Sequence, residues 1–249
     1  MEPVRPEFVP DPSLSREEME TLQRDIAATA IFEDTLETDP TAASFDDPPV
    51  VAGVDQGFRG DDATSAVVVM QGGEVIERAS ATRETRIPYI PGLLSFREGG
   101  AILAAFEVLE HEPDVVLVDG SGRIHFREAG LATHIGVTLD TPTVGVAKSL
   151  LCGRPRESLD DPLPEGTRVA IEANGNVTAP DGTVIGYAVQ TRQYDSGNRH
   201  INPLYVSPGH RVGVETAADI VEQYTTDYKL PEPTRLADSY AAEVVRSGE

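Results

Sequence analysis

One stretch decides how this chain folds: Val115-Val116-Leu117-Val118-Asp119-Gly120-Ser121-Gly122-Arg123-Ile124-His125-Phe126-Arg127. Its first four residues are apolar and predict a strand that is buried on both faces. Two glycines, Gly120 and Gly122, predict a sharp turn directly after this strand. Asp119 then falls at the carboxyl end of a central strand, where open α/β sheets place their functional groups. The stretch alone leaves open the alternative that Asp119 is only a turn or capping residue.

Apolar runs on both sides of this stretch predict the rest of a mixed sheet. Val50–Val54 ends in Asp55, and the runs Ala66–Met70 and Val75–Ala81 follow it, so these three strands should form an antiparallel meander. Thr143–Val146 predicts a fifth strand, and helical spacing predicts helices between the strands. The predicted class is α/β, with a mixed five-stranded central sheet flanked by helices and with extra strands and helices beyond it. The last of the extra strands should close at residues 207–210.

The segment before the first strand predicts an extension with one helix, over residues 1–49. Ser15 and Glu18 form a capping-box pattern, and apolar residues at helical spacing continue from there to about Ile31. Residues 33–49 are acidic, contain prolines and have no period, which predicts a loop. Residues 50–249 are expected to form a single domain.

The charge is the most unusual feature of the composition. The 249 residues include 42 acidic and 20 basic side chains, giving a net charge of −22, and only two of the basic residues are lysines, Lys148 and Lys229. The acids are spread along the chain, which favours adaptation to molar salt, where the Debye length is about 3 Å, over binding of a basic partner. This charge opposes nucleic acid at low salt, so any nucleic-acid binding should use a local site.

Two further features narrow the class of protein. No apolar run approaches the length of a membrane span and the first thirty residues are acidic rather than signal-like, which predicts a cytoplasmic protein with no membrane partner. Cys152 is the single cysteine, which excludes an internal disulfide and a cysteine-based zinc cage.

Three acids fall where the predicted sheet could bring them together. Asp55 and Asp119 follow the first and fourth strands, which can be neighbours in a mixed sheet, and Glu98 lies at the start of the helix between them. Converging carboxylates suit a hard cation such as Mg²⁺, and metal pairs about 3.5–4 Å apart serve phosphoryl transfer. Each acid also has a structural alternative: Ser95 and Glu98, for example, form a capping-box pattern that on local grounds favours a cap.

Six stretches together form a recognisable pattern. They are Val51–Asp55, Pro88–Glu98, Asp119–Arg127, Gly145–Lys148, Gly209–Arg211 and Leu230–Arg235. This pattern resembles the endonuclease V family, the deoxyinosine-directed repair nucleases with a ribonuclease-H-like fold. The run Pro-Tyr-Ile-Pro-Gly-Leu-Leu-Ser-Phe-Arg-Glu is highly specific, and the order and spacing of the other stretches agree with it. The resemblance extends from about Val51 to the end of the sequence.

The resemblance implies catalytic and metal-binding positions. Asp55, Glu98 and Asp119 match the metal-binding acids of the family, and His210 is expected to adjoin the same cluster. Lys148 matches a catalytic lysine beside the scissile phosphate. Two further positions match family residues around the site: His125 as a catalytic group and Arg97 as a substrate-binding group. The last helix also carries Asp238, the sort of extra acid that ribonuclease-H-like sites often recruit.

The resemblance also implies how the substrate is held. Tyr89 matches a wedge that enters the strand where the inosine leaves, and the bracketing Pro88 and Pro91, with Ile90 between, would keep it rigid. Extruding a base costs a few kcal/mol, least for a weakly paired base, and an aromatic side chain can fill the gap. The remaining substrate-binding positions, where a tight pocket would accept hypoxanthine, are Gly92, Leu94, Gly120, Gly122 and Gly145.

The resemblance thus implies a Mg²⁺-dependent DNA repair endonuclease, with Mn²⁺ as a substitute, acting as a monomer on DNA that contains deoxyinosine. It would hydrolyse the second phosphodiester bond on the 3′ side of the lesion and leave a 3′-hydroxyl and a 5′-phosphate. Residues 50–249 would be a single ribonuclease-H-like nuclease domain. Two alternatives stay open: an inosine-specific RNA endonuclease, since only contacts to the 2′-hydroxyl separate the two substrates, and a non-catalytic module that binds inosine or branched DNA.

Overall fold

The computed structural model describes residues 1–41, 48–195 and 199–248, and its strands belong to a single mixed sheet. The strands are β1 (Val50–Arg59), β2 (Asp62–Gln71), β3 (Glu74–Glu84), β4 (Val115–Val118), β5 (Thr143–Ala147), β6 (Arg154–Pro155), β7 (Arg168–Glu172), β8 (Val184–Val189) and β9 (Leu204–His210). The helices are α1 (Arg16–Thr29), α2 (Leu94–Glu107), α3 (Leu131–Leu139), α4 (Val214–Gln223) and α5 (Glu232–Ser247), with a short 3-10 helix at Pro6–Phe8.

The sheet has the order β3-β2-β1-β4-β5-β9-β8-β7-β6. β4 is parallel to β1 and to β5, and the other paired strands are antiparallel. The five strands from β3 to β5 are the predicted mixed centre, and the predicted extra strands extend the same sheet beyond β5. Val54 pairs with Val118, so Asp55 and Asp119, one position further on, lie side by side.

The two faces of the sheet are covered by different helices. Ala52 and Val54 of β1 pack with α2 and α3, whereas Val51 packs in a cluster with α4. Gly53 lies directly under α5, because a Cβ atom placed on it would lie 2.1 Å from the carbonyl carbon of Pro233. Only glycine therefore lets α5 rest on β1 at this point.

The N-terminal segment packs against the layer formed by α2 and α3. The capping box of α1 is present, with the Glu18 N–H donating to Ser15 Oγ at 3.3 Å and the Ser15 N–H donating to Glu18 Oε2 at 2.8 Å. Ile26 of α1 is fully buried against α3, and Met19 is buried beside the start of α2. The loop predicted for residues 33–49 includes residues 42–47, which lie outside the described residues.

Two predicted strand ends are wrong. β1 continues past Asp55 to Arg59 and turns at Gly60, whose φ of +63° favours glycine. The reason is that β1 still pairs with β2 after its pairing with β4 has ended. Likewise, residues 207–210 do not close β9 but continue it, because they pair with β5 as far as Thr143 opposite His210.

Within residues 1–41, 48–195 and 199–248, none of the helices is both long enough and apolar enough to cross a lipid bilayer.

Candidate active site

A cavity of about 420 Å³ opens where β4 and β5 end beside β1. Asp55, Glu98, Asp119 and Lys148 all line it, although they come from four separate parts of the chain. The parallel register of β1 and β4 brings the two aspartates together, and the ends of α2 and β5 add the other two side chains. The fold therefore assembles the three predicted acids and the predicted lysine around one space.

Asp55 is a buried acid that lacks a full set of partners. Asp55 is only 6% exposed, and its Oδ1 accepts the Gln56 N–H at 2.6 Å. Its Oδ2 is buried and has no hydrogen-bond partner among the described residues. Burial, followed by the negative charge of Asp119, raises the pKa of Asp55 to about 8. The ionised carboxylate is thus destabilised until a cation or a proton compensates its charge.

Glu98 faces the cavity because it does not cap its helix. The N-cap of α2 is Leu93, which makes no side-chain capping bond, and Ser95 Oγ pairs instead with His134 Nδ1 at 2.8 Å. The capping box expected from the sequence is therefore wrong. Glu98 is 6% exposed and makes no side-chain hydrogen bond within the described part of the chain, and burial raises its pKa to about 7.

Lys148 supplies the positive charge of the cavity. Its Nζ donates to Asp119 Oδ2 at 2.6 Å. Burial acts to lower the pKa of Lys148, but the charges of Asp119, Asp55 and Asp238 outweigh it, so the pKa is raised. The same Asp238 charge adds to the raised pKa of Asp55. The charge of Asp238 on α5 therefore reaches both groups, although Asp238 does not line the cavity.

The donor atoms of these acids suit a divalent cation, but the side chains are not yet close enough together to coordinate one. Among the described residues, no three Asp, Glu, His or Cys side chains lie close enough together to form a ready metal site. The donors are nevertheless carboxylate oxygens, which hard cations prefer, and Asp55 offers one buried oxygen without a partner. The repulsion between Asp55 and Asp119 is also what a cation between them would relieve.

Tyr89 stands at the mouth of the cavity and is 65% exposed. The Leu93 N–H donates to the Ile90 carbonyl oxygen at 3.0 Å, and Gly92 has a φ of +82°. With Pro91 before Gly92, these features are those of a type II turn, which fixes the chain directly after the tyrosine. Tyr89 is therefore presented on a constrained segment.

The neighbours of Tyr89 support it from outside the cavity. Arg97 donates from NH1 to the Ile87 carbonyl oxygen at 2.7 Å, and its guanidinium lies 5.1 Å from the ring centroid of Phe58. Ile90 packs against a small apolar cluster that includes Leu93. Neither Arg97 nor Ile90 lines the cavity, and the same holds for Pro88 and Pro91.

The predicted pocket residues divide into two groups. Gly92, Leu94 and Gly120 line the cavity, together with Gly130 and Leu131 at the start of α3, which the sequence did not single out. Gly122 and Gly145 do not line the cavity. A Cβ atom placed on Gly145 would lie 2.3 Å from the backbone nitrogen of Gly122, so these two glycines allow the loop after Asp119 to lie close on β5.

His125 lines the cavity but has both ring nitrogens in use. Its Nε2 lies 3.0 Å from the Gly92 carbonyl oxygen, and its Nδ1 accepts the Arg127 N–H at 3.2 Å. Burial lowers the pKa of His125 to about 4, so the ring is neutral at physiological pH. This geometry suits a bridge between two loops of the cavity better than a proton carrier.

Gln23 of α1 is a cavity residue that sequence reasoning missed. Its Nε2 donates to the Gly92 carbonyl oxygen at 2.8 Å, and its Oε1 accepts from Arg127 Nε at 2.7 Å. It is buried and lines the cavity. No local pattern could have found it, because Gly92 lies 69 positions away in the sequence.

His210 does not adjoin the acids, so that expectation is wrong. It pairs with Thr143 at the amino end of β5, whereas Ala147 and Lys148 are at the other end. Four residues of strand separate these ends by about 13 Å. The His210 ring instead accepts the Ile31 N–H on Nδ1 at 3.2 Å and contacts Asp140 Oδ1 through Nε2 at 3.1 Å.

Comparison with known proteins agrees with this fold. The endonuclease V family model matches residues 34–239. An endonuclease V from the halophilic archaeon Haloarcula marismortui is 69% identical, over 97% of this chain and 96% of its own. The crystal structure of endonuclease V from Streptomyces avermitilis has a TM-score of 0.79 at 31% identity, covering 98% of this chain and 97% of that chain.

A third similar protein was solved with nucleic acid. Endonuclease V from Ciona intestinalis, in complex with a 24mer DNA containing an inosine followed by a ribo-adenosine, has a TM-score of 0.72 at 25% identity and covers 94% of this chain and 98% of that chain. These structures confirm the ribonuclease-H-like α/β class, and the Haloarcula relative comes from a halophilic archaeon, which agrees with the salt adaptation predicted from the acidic composition. The chain belongs to the endonuclease V family and is an endonuclease, a hydrolase acting on phosphodiester bonds.

Proposed function

We propose that this protein is a Mg²⁺-dependent DNA repair endonuclease that recognises deoxyinosine and hydrolyses the second phosphodiester bond on its 3′ side. The products would carry a 3′-hydroxyl and a 5′-phosphate, and Mn²⁺ would substitute for Mg²⁺. The observation that carries the proposal is a single cavity lined by Asp55, Glu98, Asp119 and Lys148, with the exposed Tyr89 at its mouth. The Ciona relative that binds inosine-containing DNA supports the choice of substrate.

Recognition of the lesion is expected to use both the mouth and the depth of the cavity. Tyr89 would fill the gap left by the extruded base, which offsets part of an unstacking cost of a few kcal/mol. Behind it, the first residues of α2 and α3, Leu94 and Leu131, line the cavity. The first N–H groups of a helix have no intrahelical partner. The Ala132 N–H already donates to the Ser121 carbonyl oxygen at 3.0 Å. The N–H groups of Leu94 and Leu131 are therefore the ones that would donate to the oxygen and nitrogen acceptors of hypoxanthine.

Asp55, Glu98 and Asp119 would hold the metal, with Asp238 beside them as a further acid. When bound, Mg²⁺ supplies Lewis-acid stabilisation of the phosphate and a more acidic water. The three carboxylates are suited to this position because two are buried with raised pKa values and gain most from a compensating charge.

The role of Lys148 follows from how its ammonium is held. The bond to Asp119 fixes Nζ at the edge of the cavity, and its side chain is 51% exposed, so it remains accessible to a phosphate. A fixed ammonium at this point stabilises the negative charge that develops on the phosphate and on the leaving oxygen. Water would be the nucleophile, and no covalent enzyme intermediate is required.

Two other expectations belong with this proposal. Action on inosine in RNA is the alternative, because the cavity recognises the base and only contacts to flanking 2′-hydroxyls would separate the substrates. Membership of an endonuclease family argues against the non-catalytic binding module. A monomer located in the cytoplasm, with residues 50–249 as one nuclease domain and residues 1–49 as an extension, stays a prediction.

A nicking assay tests the proposed function. An end-labelled duplex with one deoxyinosine is incubated with Mg²⁺ or with chelator, in low and in molar salt, beside the Asp119→Ala variant. We expect one metal-dependent cut, one nucleotide beyond the lesion, that the variant does not make. An intact duplex in every condition, with cleavage of inosine-containing single-stranded RNA, would establish the RNA alternative instead.

A further inference from the structure

The two lysines of this chain lie near each other in the fold. All other basic residues are arginines, so lysine has been kept only at positions 148 and 229. Lys148 lies at the cavity, bonded to Asp119. A lysine ammonium is a compact, strongly hydrated charge that arginine does not reproduce. The use of lysine at two neighbouring positions indicates that both ammonium groups serve the same function.

The sheet register holds Lys229 close to Lys148. Ala147, the residue before Lys148, pairs with Tyr205 of β9, and β8 pairs with β9 on its far side. Thr191 follows β8, and its Oγ1 donates to the backbone carbonyl oxygen of Lys229 at 2.7 Å. Neighbouring strands are about 4.8 Å apart and Thr191 lies two residues beyond the level of Lys148, so this bond places the backbone of Lys229 on the order of 10–15 Å from that of Lys148.

The Lys229 side chain has a charge that the protein leaves without a partner. It is half-buried, and it makes no ion pair within the described ranges. Lys148, in contrast, is bonded to a carboxylate. Burial, and then the positive charge of Lys148, lowers the pKa of Lys229. A partly desolvated cation next to a second cation is unfavourable in the free protein, and a negatively charged ligand would relieve this cost.

We propose that Lys229 is a substrate-binding residue whose ammonium contacts a backbone phosphate neighbouring the one that Lys148 contacts. This inference rests on the proposed function. It adds a contact outside the cavity, which Lys229 does not line. Phosphates repeat along a strand, so two lysines held side by side match two positions of one backbone. In a protein of net charge −22, these two lysines concentrate attraction for nucleic acid next to the reacting bond.

The test measures binding as well as cleavage. Lys229→Ala and Arg246→Ala remove the same charge, but Arg246 is exposed in the last turn of α5. Binding of a deoxyinosine duplex is measured by fluorescence anisotropy in chelator over a series of KCl concentrations, and cleavage is measured with Mg²⁺. Thermal melts of both variants control for folding.

We expect Lys229→Ala to weaken binding about tenfold more than Arg246→Ala does. The slope of log affinity against log salt should fall by about 0.9, the change expected for one lost phosphate contact. KM should rise while kcat changes little, and Lys229→Arg should keep the wild-type salt slope. Equal affinities and slopes for Lys229→Ala and Arg246→Ala would overturn the inference. Failure of the wild type to cut the duplex would instead count against the proposed function, because the salt slope is read without cleavage.

Discussion

Acids near the two ends of β5 are in opposite electrostatic situations, with Asp55 of β1 near its carboxyl end and Asp140 just before its amino end. At the carboxyl end, Asp55 is buried with one oxygen unpartnered, and its pKa is raised. At the amino end, Asp140 Oδ1 lies 3.0 Å from Arg5 NH1 and 3.1 Å from His210 Nε2. Partial burial acts to raise the pKa of Asp140, but the bonds from His210 and Arg5 outweigh it and the pKa is lowered.

This difference separates an acid that holds the fold together from an acid that is kept for a ligand. The amino-end cluster of Asp140, Arg5, His210 and Arg211 satisfies its charges internally. The carboxyl-end cluster leaves negative charge uncompensated, which costs stability in the free protein. Such a cost is typical of functional sites, where strained or unsatisfied groups are retained for chemistry.

The sharpest test of this contrast is the same substitution at both ends. Asp55→Asn should lower cleavage of the deoxyinosine duplex by more than about 100-fold, since even residues outside the metal ligands contribute about 10–100-fold. Asp140→Asn should leave cleavage near the wild-type rate. Asp140 has a φ of +54°, which asparagine tolerates, so the control keeps its backbone. Nicking assays under identical conditions measure both, and equal losses would remove the distinction.

The stabilities of the same two variants should change in opposite directions. In chelator at neutral pH, Asp55→Asn should stabilise the protein by roughly 1–3 kcal/mol, because a destabilised buried carboxylate is removed. Asp140→Asn should destabilise it by about 1 kcal/mol, as its ion pairs are partly exposed. Chemical denaturation measures both values. A loss of stability in Asp55→Asn would contradict the assignment.

The pH dependence of these stability changes should differ as well. The folded pKa of Asp55 is about 8 against an ordinary value of 3.8, so between these values the carboxyl group ionises in the unfolded chain but stays protonated in the folded protein, and stability falls as pH rises. The benefit of Asp55→Asn should grow over that range. The lowered pKa of Asp140 instead gives stability that is present above 3.8 and lost as pH falls through the folded pKa. Denaturation curves at several pH values would reveal parallel trends if the contrast were absent.

The N-terminal segment contacts both ends of β5, through Gln23 at the cavity and through Arg5 at Asp140. These two residues offer a second matched pair of substitutions. Gln23→Ala removes a donor to the Gly92 carbonyl oxygen and should lower kcat/KM for the deoxyinosine duplex about tenfold, because a misplaced pocket loses specific binding. Arg5→Ala should lower the melting temperature without changing kcat/KM. Discrimination between deoxyinosine and undamaged duplexes distinguishes positioning from folding, since a purely structural role of Gln23 would leave that ratio unchanged.

The smallest expected effect on cleavage is that of His210→Asn. We expect cleavage within about twofold of the wild type, since His210 lies at the amino end of β5, together with a lower melting temperature from the lost buried bonds. Steady-state cleavage well below the melting temperature measures this. A loss as large as that of Asp55→Asn would place His210 in the reaction after all.

Local patterns predicted the parts of the fold that depend on neighbours in sequence. The burial of β4 and the capping box of α1 both follow from residues a few positions apart. The convergence of Asp55, Glu98 and Asp119 could be predicted from the order of the strands and one helix, together with the family resemblance.

The errors arose where distant residues decide the outcome. Ser95 fits a capping box, but a histidine from α3 takes its hydroxyl. The length of β1 depends on pairing with β2, and the place of His210 depends on its register with β5. Gln23 joins the cavity through a contact across 69 positions. Hydrogen bonds and strand registers of this range have no signature in a short window of sequence.

The seating of α5 on Gly53 has a consequence for the cell that makes this protein. The backbone of Pro233 takes the place of a side chain on β1, and Asp238 arrives with the same helix. Synthesis adds about 5–20 residues per second, so the stretch between Gly53 and α5 takes on the order of 10–40 seconds, during which a nascent chain has its first acids but lacks the helix that covers β1. The surface of β1 under α5 therefore stays uncovered until that helix has left the ribosome.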